Sequence, residues 1–175
     1  VALRTGTGNI TVGAGKVVSA GDDVSVEITT GNLVDSNGAG AVAIDAGDSL
    51  ILSVGGNVTG DGTGTVAGST NMFEFNADVL AAQSTGAGSM DLLDRDANLT
   101  IANRSTRKGA VAVDGVSLAG DFCLELTGNL DVDDDVTSTN GNVAILASGN
   151  ITGGEPRRHG RQYREHQRQQ RHGIP

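Results

Sequence analysis

One triplet, Gly followed by Asn followed by an aliphatic residue, returns along this chain at a spacing that restricts the fold severely. It stands at Gly8-Asn9-Ile10, Gly31-Asn32-Leu33, Gly56-Asn57-Val58, Gly128-Asn129-Leu130, Gly141-Asn142-Val143 and Gly149-Asn150-Ile151, with a variant at Ala97-Asn98-Leu99. From Asn9 to Asn32 to Asn57 the intervals are 23 and 25; Asn57 to Asn98 is 41, and Asn129 to Asn150 is 21. The unit is therefore in the low twenties, taken once or twice. Such a unit holds two or three short strands and cannot bury its own apolar face, so it must stack on copies of itself.

Between the triplets the period is two. Val24, Val26 and Ile28 alternate with Ser25 and Glu27; Val42 and Ile44 flank Ala43; Val111 and Val113 flank Ala112; Phe122, Leu124 and Leu126 alternate with Cys123 and Glu125. Each run reads as a short strand with one buried face. Gly and Asn supply the corners, where a positive φ costs them little. The expectation is an all-β fold, a parallel β-helix of about seven coils over residues 1–154, rising about 4.8 Å per coil to a rod of about 34 Å. The repeated Asn is expected at one corner, with Asn32, Asn57 and Asn150 on a common edge and their amides forming a ladder. Three Phe, one Tyr and no Trp in 175 residues suit a narrow interior of stacked Val, Ile, Leu and Ala. A β-sandwich of short strands is the alternative. It does not require the triplet to return at a constant interval.

The segments GNITVGAGKVVSAGDDVSVEITTGNLVDSNGAGAVAIDAGDSLILSVGGNVTG and GNLDVDDDVTSTNGNVAILASGNITG resemble the repeats of filamentous haemagglutinin-like bacterial exoproteins. The resemblance covers most of residues 8–154. It implies a structural and adhesive stalk, extracellular or at the cell surface, meeting glycans or proteins of host or neighbouring cells through a larger parent. Opening on Val1 rather than Met, the chain is read as a fragment of that stalk.

Residues 1–154 contain no His, which removes Ser-His-Asp, Cys-His and imidazole metal sites from the body of the chain. Asp131, Asp133, Asp134 and Asp135 are the densest acidic run and the weak candidates for Ca²⁺. They lack the spaced Gly and bidentate Glu of an EF-hand loop, and a solvated acidic turn is expected. Asp94, Arg95, Asp96, Arg104, Arg107 and Lys108 stand close together in LLDRDANLTIANRSTRKGA. β-Helix polysaccharide lyases combine Asp-bound Ca²⁺ with a basic residue, so this is where an enzyme acting on acidic polysaccharide, the alternative function, would lie. Its nearest aromatic platforms in sequence are Phe73, Phe75 and Phe122. The expectation is nevertheless a charged loop, no catalysis and no cofactor. The run around Lys16 lacks Walker A spacing and is read as an exposed strand. Cys123 is read as a small buried thiol.

Charge divides the chain. Residues 1–154 carry six Lys or Arg against 19 acids, whereas residues 155–175 carry six Arg against two Glu, with all three His and the one Tyr. The acidic body repels phosphate backbones, which argues against nucleic acid. No apolar stretch approaches the roughly 18 residues of a membrane span. Residues 155–175 are read as a disordered tail, with a basic arm, a solvated end and a shifted reading frame as competing origins. The frameshift is preferred: codons from Arg161 onward, read one nucleotide later, can encode Gly-Asn-Ile-Ala-Ser-Thr-Ser. Lost capping coils at both ends are expected to favour self-association.

Overall fold

The computed structural model describes residues 1–64, 71–106 and 111–153. The basic tail, Arg107 and Lys108 lie outside the described residues. The chain winds as a parallel β-helix whose coils follow one another in order. The first coil holds β1 (Ala2–Thr7), β2 (Ile10–Gly13) and β3 (Val18–Ala20); the second β4 (Val24–Thr30), β5 (Leu33–Ser36) and β6 (Ile44–Ala46); the third β7 (Ser49–Val54), β8 (Val58–Thr59) and β9 (Phe73–Asn76). The fourth has β10 (Val79–Ser84) and β11 (Met90–Asp94); the fifth opens on β12 (Asn98–Ile101), stacked on the start of β10, followed by a hairpin of β13 (Arg104–Ser105) and β14 (Ala112–Val113). The fifth continues with β15 (Val116–Leu118) and β16 (Phe122–Leu126), the sixth holds β17 (Asn129–Val132), β18 (Val136–Ser138) and β19 (Val143–Ala147), and β20 (Ile151–Gly153), stacked on β17, is the last strand among the described residues.

Pairing is parallel throughout the two large sheets, so each inward residue stands over its counterpart one coil earlier. On the first face the column is Leu3, Val26, Leu52, Ala82, Val116 and Val136. On the second it is Ile10, Leu33, Val58, Met90, Phe122 and Val143. The interior residues of these columns from Val26 to Val116 and from Leu33 to Phe122 are buried, each worth roughly 1.5–3 kcal/mol for the larger side chains. Among the described residues the first sheet stacks seven strands in succession, β1, β4, β7, β10, β12, β17 and β20. Coils near the middle are longer than the low-twenties unit: Leu52 to Ala82 is 30 residues and Ala82 to Val116 is 34.

The extra length has an identifiable place. Strand β10 forks, pairing Val79 and Leu80 with Thr100 and Ile101 of β12, and Ala82 and Gln83 with Val116 and Ser117 of β15. Between those two partners the antiparallel β13–β14 hairpin leaves the coil and folds back over the outside of the first face. Val113 is buried there and Val111 half-buried, against Ile51 and Ala81, which point outward from β7 and β10. Arg104 Nε donates to Ser49 Oγ at 3.0 Å and fixes the hairpin's first strand. The Val111–Val113 strand thus has its buried face, but outside the coil.

The triplet is explained by contacts between coils. Gly31 has φ +132°, and a Cβ there would overlap the Gly8 carbonyl of the coil before. Gly128 sits over the Ala97 carbonyl with the same consequence. The Asn that follows uses its side-chain oxygen to bind the next coil's backbone: Asn9 Oδ1 accepts from Asn32 N at 2.9 Å, and Asn32 Oδ1 from Asn57 N at 2.7 Å. The expected common edge is corrected to two. One ladder runs Asn9, Asn32, Asn57, Ser89, Asp121, Asn142. The other runs Asn98, Asn129, Asn150, where Asn129 Nδ2 donates to Asn98 Oδ1 and Asn150 N to Asn129 Oδ1, each at 2.9 Å. Asn150 therefore does not join Asn32 and Asn57. The reason is that the two sets stand at different corners: Asn9, Asn32, Asn57 and Asn142 lead into strands of the second sheet, β2, β5, β8 and β19, whereas Asn98, Asn129 and Asn150 lead into strands of the first, β12, β17 and β20.

Candidate functional site

Most of the chemistry-bearing residues singled out in the sequence are dispersed. Asp131 lies half-buried on β17, where its Oδ1 accepts from Thr152 Oγ1 at 3.1 Å. Asp134 Oδ1 accepts from Asp135 N at 2.8 Å. Asp131, Asp133, Asp134 and Asp135 are not among the carboxylate groups that converge.

The cluster considered for polysaccharide chemistry also separates. Asp94 is buried and in register with Phe75 and Leu126 of the core, whereas Arg95 faces Glu74 and Arg104 lies on the hairpin over β7. Phe73, Phe75 and Phe122 are fully buried interior rings, which corrects both the aliphatic-only core and their candidacy as sugar platforms. Cys123 is half-buried in the outward phase of β16 rather than interior. Lys16 occupies the exposed turn between β2 and β3 rather than a strand.

A different set of acids converges. Asp35, Asp61 and Glu74 each place a carboxylate oxygen within 4.8 Å of the other two. Glu74 lies between the inward rings Phe73 and Phe75, so it points outward; it is nevertheless fully buried, because the loop of residues 36–43 passes over it. Gly40 N donates to both Glu74 oxygens at 3.0 and 2.8 Å, and Arg95 Nε donates to Oε1 at 2.8 Å, with a second Arg95 contact closing the ion pair. Asp35, on β5, accepts from Asn37 N at 3.0 Å and Glu74 N at 3.3 Å. Asp61 Oδ2 accepts from Gly38 N at 2.9 Å, and its Oδ1 is buried without a partner.

Gly38 and Gly40 take φ of +105° and +87°, which turns their N–H groups toward these acids. Burial pushes the Asp35 carboxyl up, the N–H groups of Asn37 and Glu74 oppose that, and the charges of Asp61 and Glu74 reinforce it. With four backbone donors and Arg95 already in place, the acids fasten the 36–43 loop and the 60–64 segment to the coil. They are also the residues that could hold a cation among the described ones, beside an exposed group at Asp22, Asp23 and Asp48. Sequence reading missed the set because its members are 26 and 13 residues apart and only the winding brings them together.

The hairpin builds a second feature. Beside it on the first face lies an open groove of about 210 Å³, lined by Arg4, Glu27, Thr29, Ser53, Gln83 and Val111. Its floor is a row of outward side chains in register: Arg4 pairs with Glu27 at 2.9 Å, and Gln83 Nε2 donates to Ser53 Oγ at 3.0 Å. Such a surface offers hydrogen-bond donors and acceptors at the spacing of successive coils. Among the described residues no helix is long and apolar enough to cross a membrane. Comparison with protein-family models, curated proteins and solved structures finds no match to this chain.

Proposed function

We propose that this chain is a stalk segment of a bacterial surface or secreted exoprotein of the filamentous haemagglutinin-like kind, structural and adhesive rather than catalytic. The observation that carries the reading is the double ladder. Side-chain oxygens at the coil corners satisfy the backbone of the next coil, an arrangement that extends a rod and leaves outward rows for contact. The row Arg4, Glu27, Ser53, Gln83 beside the hairpin is the surface best suited to meet glycans or proteins of a host or neighbouring cell. The location that follows is extracellular or at the cell surface, with the open coil ends as sites of self-association.

The test is twofold. Small-angle scattering at low concentration should give an elongated particle, and immobilised protein should retain bacterial or host cells or their surface glycans, with Gln83→Ala and Arg4→Ala reducing retention. A compact particle, or release of unsaturated sugar from pectate or alginate, would overturn the reading.

A further inference from the structure

We propose that Asp114-Gly115 is a site of spontaneous backbone modification, at which the aspartate converts to isoaspartate and releases the outer hairpin from the coil. The inference goes beyond the stalk reading and does not depend on it. In an Asp-Gly or Asn-Gly pair the glycine nitrogen can close on the side-chain carbonyl carbon before it, and the missing Cβ leaves that approach unobstructed. The chain has four such pairs, Asn37-Gly38, Asp61-Gly62, Asp114-Gly115 and Asn140-Gly141.

The fold ties down three of them. Gly38 N donates to Asp61 Oδ2 at 2.9 Å, and Asn37, only 8% exposed, spends its Nδ2 on the carbonyls of Lys16 and Val42. Gly62 N donates to Met72 O at 3.0 Å. Gly141 N donates to Ser138 Oγ at 2.9 Å. At the fourth pair Asp114 is exposed, and among the described residues neither its carboxylate nor Gly115 N has a hydrogen-bond partner. Gly115 N is thus the glycine nitrogen that gives up no hydrogen bond when it attacks.

The consequence follows from where Asp114 stands. It is the single residue between β14, outside the coil, and Gly115, which leads into β15 of the coil's own sheet. On one side Val113 is buried against Ile51 and Ala81. On the other, Gly115 O accepts from Ala82 N at 2.9 Å, and Gly115, at φ +56°, lies so close to Asp135 O that a Cβ would overlap it. Ring closure forms a bond from Gly115 N to Asp114 Cγ and expels a carboxyl oxygen as water. Water then breaks the bond from that nitrogen to the α-carbonyl carbon, so the main chain runs through Cβ and Cγ and the α-carboxylate becomes the side group. The net change is an isomerisation that lengthens the link by one backbone atom, about 1.5 Å. Strand β15 is held by both β10 and β18, whereas the hairpin rests on one small apolar cluster, so the added length falls on the hairpin. Val111, which lines the groove on the first face, moves with it.

The experiment incubates the full chain for weeks in neutral buffer. Isoaspartate is counted by methyl transfer from labelled S-adenosylmethionine with a protein isoaspartyl methyltransferase, and placed by fragmentation mass spectrometry. The expected result is a steady rise located at Asp114. Asp114→Glu, which must close a larger ring, should lower the rate at least about tenfold, and Asp114→Asn, whose amide leaves as ammonia more readily than a carboxylate loses oxygen, should raise it about tenfold. Circular dichroism confirms that each variant keeps the fold. Hydrogen exchange at Thr106 and Val111, whose amides bond across the hairpin, should quicken in step with the isoaspartate fraction, while Leu33 and Leu124 in the interior stay protected. The same chain unfolded in urea supplies the reference rate. If the unfolded chain gains isoaspartate at Asp114 and the folded chain does not, the fold protects the site and the proposal fails. Isoaspartate confined to Asn37 or Asn140 overturns it as well, and isoaspartate at Asp114 without faster exchange at Thr106 and Val111 overturns the release of the hairpin.

Discussion

Asn32 reaches both of its neighbours in the stack: its N and Nδ2 donate to Asn9 Oδ1, and its own Oδ1 accepts from Asn57 N at 2.7 Å. One side chain thus serves two coil interfaces. Asn32→Ala leaves Asn57 N without its acceptor and should cost about 1–2 kcal/mol. Asn32→Asp keeps an oxygen where Asp121 shows that a carboxylate can serve, and should cost less. Urea unfolding monitored by circular dichroism checks the order; equal losses for the two variants would contradict the ladder.

The glycine before each ladder residue gives a second expectation. Gly31→Ala must move the Gly8 carbonyl and also hold alanine at φ +132°, so a loss of about 2 kcal/mol or more is expected. Gly6→Ala, on β1 with open space around its Cβ position and no positive φ, should leave stability within about 0.5 kcal/mol. Thermal midpoints of the two variants, measured together, decide the point.

These two positions also show what was legible in advance. Gly and Asn recur because one removes a clash with the coil below and the other replaces a corner hydrogen bond, and both requirements are local and periodic. Ser89 and Asp121 meet the same requirement with different side chains, after Gly88 and Gly120, and so fell outside the Asn pattern. The second ladder was hidden because one triplet serves two corners, one leading into the second sheet and one into the first, and its spacing does not say which. The acidic pocket at Asp35, Asp61 and Glu74 depends on how the 36–43 loop and the 60–64 segment lie over β9, and no spacing in the chain encodes that.

The hairpin should behave as a separable layer. Val113 meets Ile51 and Ala81 outside the coil, and the columns of the interior do not depend on it. Val113→Asp should therefore release the hairpin, raise hydrogen exchange at Ile51 and Ala81, and move the main unfolding transition by less than an interior change such as Leu52→Asp. Complete unfolding by Val113→Asp under native conditions would show that the hairpin is integral to the rod.

Asp94 should make the rod less stable as the solution is made more alkaline. Its Oδ1 accepts from Asp96 N at 3.1 Å, but its Oδ2 is buried with no partner, and its carboxyl stands in register with Phe75 and Leu126. Burial is the largest influence on its titration; the nearby Asp96 and Asp78 charges add to it, the N–H groups of Asp96 and Ala77 oppose it, and the result is pushed up from 3.8 to about 7. Below about 3.8 the group is protonated whether the chain is folded or not. Between 3.8 and about 7 the unfolded chain gives up this proton while the folded one keeps it, so stability declines with rising pH, and above about 7 the decline levels off. The accumulated loss is on the order of a few kcal/mol. Asp35 and Asp91, also pushed up by burial, add slopes of the same sign, so the informative quantity is a difference between variants. Asp94→Asn preserves the shape and cannot ionise; its advantage over the unmodified chain should grow from pH 4 to about pH 7 and then hold constant. Parallel profiles of thermal midpoint against pH for the two proteins would mean that Asp94 ionises in the folded rod as readily as it does in the unfolded chain.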